Sequence, residues 1–130
     1  MSWRSRFRHV ICGHDGLPML IRYRFLDTRW GALYVHHFLR SDQDRDLHDH
    51  PWNFISLILW GGYFEELPHD WRWRSAGRIV RHKATDAHRV LLPYGSTAWT
   101  LIWVSPKVRE WGFHTENGWV PWEEYVRREQ

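Results

Sequence analysis

Asp46-Leu47-His48-Asp49-His50-Pro51-Trp52, followed at once by the apolar run 54–60 and the pair Gly61-Gly62, is the stretch on which the reading of this sequence turns. Two histidines at i and i+2 of an extended backbone project to the same side of a sheet, so both imidazoles can meet one ion while Asp49 faces away. Pro51 removes a ladder donor just beyond them and marks a break in regular pairing. A third ligand for such an ion has to come from another strand. The pair alone does not separate a metal site from two satisfied histidines in a histidine-rich chain.

Outward from this stretch, turn signals recur at short intervals: His14-Asp15-Gly16, 27–31, 41–46, Gly61-Gly62, Ala76-Gly77, 93–96 and Asn117-Gly118. Between them, 19–26, 32–39, 54–60, 78–82, 88–92 and 97–104 have strand composition, a rhythm that predicts an all-β chain of eight to ten short strands. In 97–104, Trp99, Leu101 and Trp103 share one face and Ala98, Thr100, Ile102 and Val104 the other; both faces are apolar, which places the strand inside a sandwich or barrel. Phe54, Ser56, Ile58 and Trp60 share a face and are expected to wall a pocket. Only the tail reads as helical, starting near Pro121, with Glu123 and Glu124 early and Arg127 and Arg128 late to suit the helix dipole. Trp122 and Tyr125 are placed to dock it on the barrel.

The 130 residues are expected to form one domain, 1–130, large enough for a core without staples. One cysteine, Cys12, excludes an internal disulfide and a cysteine-based zinc cluster; it reads as a packed thiol and fits a cytoplasmic setting. No signal-peptide pattern and no run of membrane length is present, so no membrane partner is expected. Net charge is +3, with arginines interleaved with carboxylates and only scattered basic candidates (Arg4, Arg6, Arg8, Arg72, Arg74), which argues against nucleic acid as a partner. The 11 tryptophans exceed what so small a core can hide. A homodimer through sheet edges or tryptophan-bearing faces is therefore expected, unless the tail, 119–125, covers the surplus.

The order of motifs resembles the cupin superfamily, whose first motif carries a His-x-His pair, a glutamate and a closing glycine, and whose second carries a glycine, a short strand, a turn and another histidine. His48 and His50 match the pair, Gly61 or Gly62 the closing glycine, Gly77 the second opening and His88 its histidine, over roughly residues 31–104. The resemblance implies a double-stranded β-helix, or jelly-roll barrel, with a short C-terminal helix. It implies one divalent ion on His48, His50 and His88, with Fe(II) favoured over Zn, Ni or Mn. Phe54 stands where the family's glutamate would be, and a three-histidine set is similar to that of the thiol dioxygenase branch. Through Leu47-His48-Asp49-His50-Pro51-Trp52, Trp99-Thr100-Leu101 and Arg109-Glu110-Trp111-Gly112-Phe113 the chain also resembles a group of small cupin-like proteins of bacteria and phages.

The resulting expectation is a mononuclear metal-dependent enzyme, iron(II) oxygenase-like, acting on a small molecule, with Phe54, Ser56, His36, His82 and Trp99 around the pocket. Either His82 or one of His36 and His37 is a candidate fourth contact, and Glu65 and Glu66 are expected at a strand edge or the surface. Two alternatives remain open: a non-catalytic module for a small molecule or nucleotide, or a metal-free sugar isomerase or epimerase. Other hydrolase signatures fail, since there is no HExxH and Trp52 breaks the HxHxDH pattern.

Overall fold

A computed structural model describes residues 7–129; Arg4 and Arg6, among the scattered basic candidates, lie outside them. Twelve strands are followed by one helix: β1 (Arg8–Cys12), β2 (Pro18–Thr28), β3 (Gly31–Phe38), β4 (Leu47–His48), β5 (Phe54–Trp60), β6 (Gly62–Leu67), β7 (Asp70–Ser75), β8 (Ile79–His82), β9 (Arg89–Leu91), β10 (Ala98–Val104), β11 (Gly112–Thr115), β12 (Gly118–Pro121) and α1 (Trp122–Glu129). The runs expected from composition became β2, β3, β5, β8, β9 and β10. The short or strongly charged strands β1, β4, β6, β7, β11 and β12 were not anticipated.

One face is a six-stranded antiparallel sheet in the order β1-β2-β3-β10-β5-β8. Two three-stranded sheets, β12-β11-β4 and β7-β6-β9, make the other. They are joined where His48 and His88 exchange both backbone hydrogen bonds, at 3.0 and 2.9 Å. The seam between the two small sheets therefore runs through two of the expected ligands.

β10 is central to the large sheet, paired with β3 on one side and β5 on the other. Its inward face, Ala98, Thr100, Ile102 and Val104, is buried to 8% exposure or less. Ile58, Val80 and Ala98 pack with Tyr63 and Val90 of the opposite face, and Ala32, Tyr34, Ile102 and Val104 pack with Trp52 and Phe54. Gly61, at φ 78°, turns the chain from β5 into β6, and a Cβ there would strike the Thr97 carbonyl.

The helix begins at Trp122, one residue after Pro121, and docks as its spacing requires. Tyr125 stacks on Phe113 at 3.8 Å and Trp122 on Trp111 at 5.7 Å. The tail nevertheless covers only this corner: Trp30, Trp60, Trp71 and Trp73 remain exposed. Two further expectations are corrected. Cys12 is exposed rather than packed, because it ends β1 at a bulge where it faces Pro18. Trp60 is 62% exposed and leaves the wall formed by Phe54, Ser56 and Ile58. The β5–β10 register slips so that Trp60 lies opposite Trp99, on the outer side. Arg72 and Arg74 offer no basic patch, being paired with Asp70 and Glu65. Among the described residues no helix is long and apolar enough to cross a membrane.

Candidate metal centre

Directly opposed residues of an antiparallel bridge send their side chains to the same face, and His50, two residues beyond His48, joins them. The three rings meet with centroids 4.7 to 5.2 Å apart. One ring nitrogen from each lies within 4.8 Å of the others. A second group, Glu65, His82 and His88, meets the same distance criterion and shares His88.

Bond lengths distinguish the two groups. Two ligand atoms about 2.1 Å from one ion, at angles between octahedral and tetrahedral, stand roughly 3.0 to 3.4 Å apart. His50 Nε2 and His88 Nε2 are 3.1 Å apart, at hydrogen-bond distance and also at the spacing of two ligands on one ion. Glu65 Oε2 lies 2.6 Å from both His82 Nε2 and His88 Nδ1, too close for shared ligation and right for charge-assisted hydrogen bonds.

Glu65 is 0% exposed, which overturns its expected place at an edge or the surface. Alternation along β6 turns Tyr63 and Glu65 inward and Phe64 outward. The buried carboxylate is met by Arg74, whose Nε and Nη2 donate to Oε1 at 2.8 and 2.7 Å, and by the two imidazoles on Oε2. Burial pushes the Glu65 carboxyl up, but the hydrogen bonds from His82 and His88 outweigh it and hold the group well below the usual carboxylate range. An ionised carboxylate only accepts, so His88 carries its hydrogen on Nδ1 and presents the Nε2 lone pair to His50. Burial lowers the His82 pKa, but the bond and charge of Glu65 outweigh burial and raise it overall. Glu66 is half-buried and paired with Arg89.

Desolvation, with His88 as a smaller cause, brings His48 down to about 4; desolvation and the neighbouring His88 and His48 place His50 well below its ordinary value. Both rings are therefore neutral at physiological pH, the form a metal requires. His50 Nδ1 is buried without a hydrogen-bond partner among the described residues. Three imidazoles, one with its tautomer set by a carboxylate, fit a divalent ion of the borderline kind.

Phe54 lies against this set, 4.7 Å from the His50 ring and 5.2 Å from His82, with Ser56 buried further along the same face. His82 is held by Glu65 rather than facing the three-histidine gap. His36 is buried on the inner face of β3, where its Nε2 accepts from Arg22 Nε. Trp99 is corrected: with His37 it lies on the outer face of the large sheet, the two rings stacked at 3.9 Å, because β10 turns Thr100 inward and its neighbours out. Asp49 points away from the gap, as the alternation requires, yet is 1% exposed. It accepts from the Gly112 amide, His114, Trp119 Nε1 and Arg109, pinning the His48–His50 stretch to β11 and β12.

No family model matches the sequence, and no curated protein matches it. Solved structures do match in fold. Rru_A2000 from Rhodospirillum rubrum, a cupin-2 domain, superposes over 100% of this chain and 86% of its own, with TM-score 0.71 and 13% identity. A putative mannose-6-phosphate isomerase from Ralstonia eutropha JMP134 covers 69% of this chain and 87% of its own, with TM-score 0.61 and 18% identity. The Fe(II) form of HppE covers 80% of this chain, which spans 58% of HppE, with TM-score 0.61 and 13% identity. Antiparallel faces closed around an inward histidine cluster, together with these likenesses, show the fold of the chain to be the jelly-roll barrel seen in the cupin-2 domain, with a short C-terminal helix.

Proposed function

We propose that the chain holds one divalent ion on His48, His50 and His88, with Fe(II) favoured, and acts as a mononuclear metal-dependent enzyme of the oxygenase type on a small molecule. The observation that carries this is the 3.1 Å approach of two ring nitrogens, one of them stripped of its hydrogen by the Glu65 contact behind it. Three protein ligands leave coordination positions for substrate or O2, and the bound ion would supply Lewis acidity or electrons there. The chain's own part is to hold the three imidazoles in place, to fix the His88 tautomer through Glu65, and to keep bulk water off one side with Phe54. The likeness to Fe(II) HppE supports iron, and nothing in the ligand set opposes zinc or nickel.

Elemental analysis of untagged protein is the test. About one ion per chain, lost in His48→Ala and His88→Ala, with O2 uptake by the iron form on substrate screening, is the expected result. Phe54→Glu, which brings a carboxylate beside the rings, should change affinity or selectivity among Fe, Zn and Ni while lowering stability. Absence of any ion, with no binding of Fe, Zn or Ni in titration, would overturn the reading in favour of a metal-free module or an isomerase in which a histidine acts as base.

A further inference from the structure

Among the described residues, one arginine turned into the interior has no carboxylate at ion-pair distance. Arg22 sits on the inner side of β2, opposite His36 in the β2–β3 register. Its guanidinium lies 5.0 Å from the Tyr34 ring centroid and 6.0 Å from that of Trp52. Its Nε donates to His36 Nε2 at 3.1 Å, and among the described residues it makes no ion pair. His36 supplies no countercharge: desolvation, with Arg22 itself as the smaller cause, keeps the ring neutral by lowering its pKa well below the ordinary value. Burial also lowers the Arg22 pKa, though a guanidinium stays charged at any physiological pH.

Arg22 lines a cavity of about 440 Å³ between the ends of β2, β3 and β10 and the segment leading to the helix. Other charged side chains at its wall are already paired, Arg24 with Asp27 at 3.6 Å and Lys107 with Glu110 at 2.7 Å. The rest of the wall carries the rings of Tyr34, Trp52, Trp111 and Trp122 beside His9 and small or aliphatic residues such as Ala32 and Val104. The three histidines do not line this cavity; Trp111, 6.2 Å from the His48 ring, and Trp52, two residues after His50, stand between.

We infer that this cavity is a binding site for a small planar or aromatic molecule bearing a carboxylate or phosphate group, with the oxyanion on Arg22 and the body against Trp52 and Trp111. A partly buried cation without a counterion is costly, and an incoming oxyanion offsets that cost while gaining bidentate hydrogen bonds that a neutral ligand cannot make. The volume lies within the range of small-molecule sites, and flat aromatic walls favour a flat body. The inference rests on Arg22 and the cavity alone and does not require the ion.

Benzoate, phenyl phosphate and the neutral benzamide, titrated calorimetrically into the full chain both loaded with and stripped of metal, make the test. At least one anion should bind about tenfold or more tightly than benzamide in both forms. Which anion does so tells carboxylate from phosphate. Arg22→Gln should reduce the anion to the level of benzamide, Arg22→Lys should retain part of the preference, and Lys107→Gln should leave it within about twofold, as expected for a side chain already paired at the exposed rim. If Arg22→Gln does not fold by circular dichroism, the anion-to-neutral ratio in the parent protein and the loss of both in Trp52→Ala decide. Equal binding of anion and amide, no binding of either anion up to about 10 mM, or an unchanged ratio in folded Arg22→Gln would overturn the site. Loss of metal binding with the anion preference intact would sink only the metal reading.

Discussion

A carboxylate with no exposure has to have its charge met from several sides, and at Glu65 four N–H groups do this, two from Arg74 and one each from His82 and His88. Glu65→Gln puts an amide NH2 against some of those donors and frees the His88 tautomer. We predict a stability loss of about 3 kcal/mol or more and a metal affinity lower by roughly 10- to 100-fold, measured by urea unfolding and by competitive zinc titration of the folded variant. Retained affinity would show that the Glu65–His88 contact does not organise the ligand set. His36 carries a pH dependence of its own. Its folded pKa lies well below that of the unfolded chain, near 6.5, so as pH falls below about 6.5 the unfolded state takes up the proton and the folded state does not. Stability contributed by this group is thus full above that pH and declines below it. Urea melts at pH 7.5 and 5.5 should show a smaller drop for His36→Gln than for the parent chain, and equal drops would refute the assignment.

At the level of elements, the buried anchor of the C-terminal helix is Tyr125, which makes two separable contacts, its ring on Phe113 and its hydroxyl, which donates to Asp46 Oδ2 at 3.1 Å. Tyr125→Phe should cost about 1 kcal/mol, the net worth of the hydrogen bond, and Tyr125→Ala about 3 to 5 kcal/mol, since the ring is also lost; denaturant midpoints with unchanged slopes would check both. This docking, like the two-face alternation of β10 and the meeting of the His48, His50 and His88 rings, was legible from spacing and motif order, because each depends on a local period or on one recognisable pair. Glu65 was not. In the run Glu65-Glu66, with Arg72 and Arg74 close by, a glutamate reads as surface. The β6–β7 hairpin that brings Arg74 alongside, with the non-local pairing of β6 with β9 and the placement of β8, supplies the N–H donors that let it be buried. Trp99 failed for the opposite reason. Its strand is apolar on both faces, so alternation separates the faces without telling which is inner, and the partner His37 on β3 settles it. Arg22 has the composition of any strand arginine, and its register opposite His36 is what turns it inward.

For the molecule as a whole, closure of the two faces leaves four edge strands, and β7 stands at one end of the order β7-β6-β9. Its outer side carries Trp71 and Trp73, 56% and 46% exposed, with Phe64 of β6 packed 4.9 Å from Trp73 and itself 44% exposed. The helix docks on β11 and β12, at the far side of that face, so the tail cannot cover these rings. An edge with exposed aromatic neighbours is a surface that soluble proteins usually bury against another chain. A two-fold arrangement in which this hairpin meets its own copy satisfies edge and rings together, because a symmetric interface applies one patch to itself. We therefore predict a homodimer, with a mass by light scattering twice the 16.0 kDa of the chain at concentrations of tens of micromolar. Trp71→Ser combined with Trp73→Ser should return it to the monomer while leaving the circular dichroism spectrum unchanged, since both side chains stand outside the core. A parent protein that keeps the monomer mass as concentration rises to about 100 μM would refute the dimer, and one that dimerises equally well after the double substitution would move the interface to another edge.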